Sequence, residues 1–172
     1  MSAPPAHALA VRPVVGGASH AASQGAASLD VGSFDVGSLD AFGFHEAVDA
    51  WFRATHGTPS EPQRGGWPHI RAGRNTLIAA PTGSGKTLAA FLASIDELVK
   101  LGLKGELASE VLVLYVSPLK ALCNDIAENL ERPLREIAEV AAELGYDAPD
   151  LRVAVRTGDT TTSERAAMVR RP

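Results

Sequence analysis

The sequence predicts an α/β fold in which parallel strands are flanked by helices. Three observations carry that prediction. Three short apolar runs, Thr76-Leu77-Ile78-Ala79, Val111 to Val116 and Leu151 to Val155, have the length and composition of strands. Each leads into a segment with helix signals, and the alternation favours a parallel sheet. The first run enters its helix through a glycine-rich turn, Ala80-Pro81-Thr82-Gly83-Ser84-Gly85-Lys86-Thr87.

That turn reads as a phosphate-binding loop because each residue type has a task. Gly83 and Gly85 open backbone angles that a Cβ closes, so several N–H groups can face one phosphate chain. The helix beginning near Gly85 aims the positive end of its dipole at the same point. Lys86 adds a mobile charge for the β- and γ-phosphates, and Thr87 supplies a hydroxyl ligand for Mg²⁺. The turn departs from the general Walker A pattern once, with Ala80 where the first glycine is expected. The flanking strand and helix separate it from an ordinary turn with an exposed lysine. That helix is marked by Leu88, Phe91, Leu92, Ile95, Leu98 and Val99 and is expected to run to about Leu101.

The chain has 172 residues, the size of one domain at most, and 45% of them are hydrophobic, enough for a core. Sixteen basic residues against 20 acidic give a formal charge of −4, so any nucleic-acid contact must be local. Cys123 is the only cysteine, which excludes an intrachain disulfide and fits a reducing cytoplasm. No run is long enough to span a membrane, and residues 1–17 lack a secretion-signal pattern.

In chain order, residues 1–43 read as a disordered leader rich in Ala, Gly, Ser and Pro. A five-residue repeat inside it places Leu29, Phe34 and Leu39 where a partner could dock them. Order is expected from Phe44, with Ala47, Val48, Trp51, Phe52 and Thr55 on one helical face and Gly57 ending the run. Thr58, Pro59 and Glu61 read as a capping box opening a second helix. That helix carries Gln63 toward Trp67, is kinked or restarted by Pro68 and is closed by Gly73. Asp96-Glu97 superficially resembles an acidic Walker B pair, but it lies mid-helix and reads as a solvated face. After Val116, Ser117 to Leu122 opens a helix continued by Ile126 and Leu130. Pro133 starts another, which carries Leu134, Ile137, Val140, Ala141 and Leu144 to Gly145. Thr161 and Glu164 form a capping box for a short helix through Met168.

Five ordered blocks carry a family resemblance. They are Gln63 with Trp67-Pro68, Pro81 to Leu92, Tyr115 to Leu122, Asp125-Ile126, and Arg156 to Thr160. Together they resemble superfamily 2 helicases of the DEAD/DEAH type, and within those the large helicase-related (Lhr) family, over residues 44–172. Cys123 stands where that family suggests Asn. The resemblance implies a partial RecA-like domain, cut before its Walker B strand, that binds ATP and Mg²⁺. It implies that Gln63 reads the adenine edge, that Ala80, Pro81, Thr82, Gly83, Ser84, Gly85, Lys86 and Thr87 hold the phosphates, and that Lys86 and Thr87 serve catalysis. Pro118, Leu119 and Lys120, then Arg156, Thr157 and Gly158, would contact single-stranded or partly duplex nucleic acid. Arg152, Arg156, Arg165, Arg170 and Arg171 against Asp159 and Glu164 add a local excess of five minus two, or +3, over residues 151–172.

The family's next strand-contact motif, Asp-Glu pair and second domain have no counterpart in this sequence. The chain therefore reads as an N-terminal fragment of a helicase, unable to turn over ATP alone, with the later strands that flank the phosphate-loop strand missing. A non-enzymatic nucleotide- or nucleic-acid-binding remnant acting through a partner is the alternative. A small-molecule P-loop kinase leaves the Pro118 and Arg156 motifs without a role.

Overall fold

The computed structural model describes residues 7–11, 38–117 and 120–171. Their elements, in order, are β1 (His7–Val11), a 3-10 turn (Asp40–Phe42), α1 (Glu46–His56), α2 (Glu61–Arg71), β2 (Thr76–Ala80), α3 (Lys86–Leu103), α4 (Lys120–Glu143) and α5 (Thr162–Arg170). Most of the region read as a leader, with Leu29 and Phe34, lies outside the described residues. Two parts of it do not. β1 pairs with β2, and Leu39 is fully buried in the core, so packing begins five residues before Phe44.

Amphipathic spacing builds α1 as expected. Ala47, Val48, Trp51 and Phe52 are buried, while Thr55 is exposed and donates to the Trp51 carbonyl at 2.8 Å. His45 caps the helix through its ring nitrogen, 3.2 Å from the Ala47 N–H. Gly57 ends it at φ 73°, a left-handed angle that suits glycine.

The start of α2 corrects the sequence reading. The cap is Ser60 with Gln63, and Thr58 and Pro59 precede the helix. A helix opened at Pro59 would put Pro62 at its fourth position, where the missing N–H forfeits a hydrogen bond. Opened at Ser60, the helix has Pro62 in its first turn, where no N–H partner is needed. Pro68 does not restart α2, which runs through it. Its ring sits on the exposed face, and an unbroken register buries Gln63, Gly66, Trp67 and Ile70 together.

Pro133 likewise does not start a helix, because α4 runs through it. Ile126, Leu130, Leu134, Ile137 and Ala141 form one stripe across the proline, and Ile137 and Ala141 are buried. Keeping that stripe in phase outweighs an interior proline, a cost of about 3 kcal/mol. Trp51 Nε1 on α1 donates to Glu136 Oε2 on α4 at 2.8 Å.

The sheet departs most from expectation. β1 and β2 are antiparallel, with His7 opposite Ala80 and Val11 opposite Thr76. Val111–Val116 and Leu151–Val155 belong to no strand among the described residues. A strand is defined by its ladder partner, which composition does not supply. Val111, Leu114 and Val116 are 62%, 76% and 79% exposed, so these three side chains lack cover and the run has no ladder among the described residues. Tyr115 alone of that run makes a ring contact, with Phe91 on α3 at 5.3 Å between centroids.

Trp67 is the centre of the core. It is fully buried, and Phe42, Phe44 and Phe52 meet its ring edge to face at 5.2, 4.9 and 5.8 Å. Its Nε1 donates to the Ala89 carbonyl at 2.9 Å, which fastens α2 to α3.

Candidate nucleotide site

The turn between β2 and α3 has the backbone its sequence predicts. Gly83 and Gly85 sit at φ 82° and 85°, and Gly85 caps α3. The N-terminal N–H groups of α3 therefore open onto the loop. The ammonium of Lys86 donates to the carbonyls of Ala80 at 2.6 Å and Pro81 at 2.7 Å. It lies across the loop, with one of its three donors beyond those two bonds. Thr82 and Thr87 are exposed, whereas Ser84 is half-buried.

The start of α2 backs the loop. Ser60 Oγ donates to the Ser84 carbonyl at 2.9 Å. Gln63 is 4% exposed; its Oε1 accepts from the Ser60 N–H at 2.8 Å, and its Nε2 points to the Gly85 carbonyl at 3.5 Å. A Cβ on Gly85 would lie 2.8 Å from Gln63 Nε2 and 3.2 Å from Ser60 Oγ. The backbone angle favours glycine there, and a Cβ would displace the Gln63 carboxamide and the Ser60 hydroxyl. The structure brings Gln63 beside Gly85 of the loop that runs from Ala80 to Thr87. Ser60 was missed because its cap was placed two residues early.

The second group of candidate residues is only partly described. Pro118 and Leu119 fall outside the described residues, and Lys120 begins α4 with its side chain undescribed. Arg156 is exposed at the end of the extended segment 151–156. The turn after it is held by its own threonines, with the Thr157 N–H donating to Thr160 Oγ1 at 2.8 Å and the Asp159 N–H to Thr157 Oγ1 at 3.2 Å. Arg165 clamps it from α5, donating from Nε to the Thr160 carbonyl at 2.9 Å and from Nη2 to that of Thr157 at 3.3 Å. Arg165, expected only to add charge, shapes the turn that carries Thr157 and Gly158. α5 has the expected Thr161–Glu164 capping box. The two bonds from Thr161 hold the Glu164 carboxyl below its ordinary range.

Asp96 corrects another reading. It is fully buried, whereas Glu97 is the solvated one, its side chain 59% exposed. Asp96 accepts from the His45 N–H at 2.6 Å, pairs with Lys100 at 2.8 Å and forms an ion pair with Arg71. The helical period alone does not reveal that a carboxylate on the buried face has two partners from other segments, His45 and Arg71, besides Lys100 of its own helix. Among the described residues, no cluster of three or more His, Cys, Asp or Glu side chains could hold a metal, and no helix is long and apolar enough to cross a membrane.

A glycine-rich loop between a strand and a helix N-terminus, with a lysine across it and a buried glutamine behind it, defines a P-loop nucleotide-binding α/β domain. Residues 60–169 match the DEAD/DEAH box helicase model, and the chain belongs to that family. Within it the similarity is to Lhr-type helicases. The ATP-dependent helicase Lhr-Core protein 2 of Thermococcus barophilus is 58% identical over 127 residues, 74% of this chain and 15% of that protein. The Lhr helicase/probable uracil glycosylase of Mycolicibacterium smegmatis is 47% identical over 129 residues, 75% of this chain and 8% of that protein. A solved structure of the Mycobacterium smegmatis helicase Lhr, bound to ssDNA and AMP-PNP, matches with a TM-score of 0.69 at 45% identity, over 75% of this chain and 16% of that one. The fold is therefore part of a RecA-like helicase domain, and the chain spans less than a fifth of the relatives it matches.

Proposed function

We propose that this chain is the ATP-binding and nucleic-acid-binding portion of an ATP-dependent helicase, in which ATP hydrolysis drives strand translocation and unwinding. The observation that carries the reading is the corner where Ser60 and Gln63 back the loop at Ser84 and Gly85. That the structural neighbour binds ssDNA and AMP-PNP supports it.

In this reading the loop N–H groups and the α3 N-terminus take the phosphates of ATP. Lys86 exchanges its bonds to Ala80 and Pro81 for bonds to the β- and γ-phosphates. Thr87, exposed at the first turn of α3, supplies the hydroxyl for Mg²⁺, an ion that neutralises charge developing on the transferred phosphoryl group. Gln63 turns its carboxamide from the Gly85 carbonyl to the adenine edge. Pro118, Leu119 and Lys120, with Arg156, Thr157 and Gly158, hold the sugar-phosphate strand at two turns, which positions it without reading sequence. Cytoplasmic placement belongs to the same reading.

The test is a fluorescent-ATP titration of the chain beside Lys86→Ala. Loss of a charge-assisted contact is expected to weaken binding by about 1.5–3 kcal/mol, roughly 10- to 150-fold. Equal affinities would refute the assignment. The 172-residue polypeptide is expected to release no phosphate above the Lys86→Ala background. Asp96, held among three partners, is not placed to hold Mg²⁺ or attacking water.

A further inference from the structure

Helices α2 and α3 run side by side in the same direction and are joined by polar contacts at three levels. At the loop end, Ser60 and Gln63 reach the carbonyls of Ser84 and Gly85. In the middle, Trp67 reaches the Ala89 carbonyl. At the far end, Arg71 bridges two acids, pairing with Asp96 through Nη2 and donating from Nη1 to Glu97 at 2.8 Å. Only the far end is ionic, and its acceptor Asp96 is fully buried.

That far end is also where other segments meet. Asp96 takes the His45 N–H as well as Lys100, and Lys100 donates to the Gly43 carbonyl. The Arg71 guanidinium lies over the Phe44 ring at 4.2 Å from its centroid. Its Nε is buried without a partner. The two carboxylates and the ring thus orient the guanidinium.

We propose that Asp96 and Arg71 are positioning residues for nucleotide-base selection: their buried ion pair anchors the far end of α2 and so sets where Gln63 stands over the phosphate loop. Gln63 and Arg71 are eight residues apart, about 12 Å along a rigid helix. At Gly66 between them α2 packs closely on β2, where a Cβ would lie 2.9 Å from the terminal Cδ1 of Ile78. A slip or tilt of α2 at Arg71 therefore reaches Gln63. Base reading by a carboxamide depends on paired hydrogen bonds and tolerates such a shift poorly. The phosphates are held by β2, the loop and α3, and α2 reaches that loop only through Ser60 and Gln63 at its near end, so a shift at Arg71 is expected to be felt more at the base than at the phosphates. The inference rests on the proposed reading of Gln63 and predicts a separation that the reading does not.

The experiment measures affinity for fluorescent ATP and GTP analogues on the chain and on Asp96→Asn, Arg71→Lys, Gln63→Ala and Lys86→Ala. The chain is expected to prefer ATP by roughly 5- to 150-fold, the size of an unpaired buried polar edge. Asp96→Asn keeps the shape and removes the charge. Arg71→Lys keeps the charge and removes the two-acid bridge. Both are expected to lower the preference to within about twofold of that of Gln63→Ala while GTP affinity changes by less than about threefold, differences of under 1 kcal/mol. Combining Asp96→Asn with Gln63→Ala should add nothing further, and hydrogen exchange at residues 60–64 should speed up in both anchor variants. A chain that shows no Lys86-dependent binding overturns the proposed function itself. Lys86-dependent binding with an ATP preference that survives in a folded anchor variant overturns this inference alone, as does an equal loss for ATP and GTP. If Asp96→Asn fails to fold, Arg71→Lys decides between the same outcomes.

Discussion

The corner formed by α2, the loop and α3 contrasts with the extended segments 111–117 and 151–157. Both are rich in apolar or special residues, and both were read as parts of one α/β domain. In the corner the glycines, the cap and the tryptophan find partners within about thirty residues of sequence, and Trp67, Leu92 and Asp96 are fully buried. In the extended segments Leu114 and Val116 are more than three-quarters exposed. Loops and helices are built from near neighbours, whereas a strand needs a partner that its own sequence does not contain.

The largest expected effect lies in the corner. Trp67→Ala removes a fully buried ring, three edge-to-face contacts and the bond to the Ala89 carbonyl. It should cost about 3–5 kcal/mol, enough to unfold a marginal domain. Thermal or urea unfolding followed by circular dichroism measures this. A cost below about 1 kcal/mol would mean that the corner is no tighter than an average surface site.

This contrast also explains what was legible in the sequence. The phosphate loop, α1, α3 and the α5 cap follow from short-range signals, and they stand where those signals put them. Pro68 and Pro133 were read as local punctuation, but each lies in a helix whose buried stripe continues in phase across it. Tertiary burial overrode propensity at both. Ser60 was missed because Thr58-Pro59 offers an equally good local cap, and only Pro62 at the following turn discriminates. Asp96 reads as solvated from local signals because its partners Arg71 and His45 lie 25 and 51 residues away.

A middle-sized effect is expected at α5, which belongs to the open side of the comparison. Nine residues long with none buried, it is too short to be stable on propensity alone. Its stability rests on the cap and on Arg165. Thr161→Ala should cost about 1 kcal/mol of local helix stability. The Glu164 carboxyl is held below its ordinary value of 4.5, so its contribution is present above that value and is lost as pH falls through the lowered native one. Protection of residues 163–168 from hydrogen exchange, relative to the intrinsic rate at each pH, should therefore fall below about pH 4.5 in the chain. In Thr161→Ala exchange should already be fast at neutral pH. Exchange at α5 that is slow and insensitive to both would show that something besides the cap holds it.

The smallest expected effect is the one that tests the contrast most directly. Leu114 is 76% exposed, and replacing it by lysine moves a charge into water and removes little buried area. Leu114→Lys in the 172-residue chain should therefore change unfolding free energy by no more than about 0.5 kcal/mol, the usual range for a surface site. Solubility should rise, because the run Val111 to Val116 exposes apolar side chains and unladdered backbone, the combination that promotes strand pairing between molecules. Were Leu114 covered on both faces, as its composition first suggested, a buried lysine without a partner would cost several times more. A loss of 2 kcal/mol or more would thus put this run back inside a sheet and erase the difference between the two regions. Unchanged stability with reduced aggregation would place the run at a surface that apolar character marks for contact but that nothing within the described residues covers.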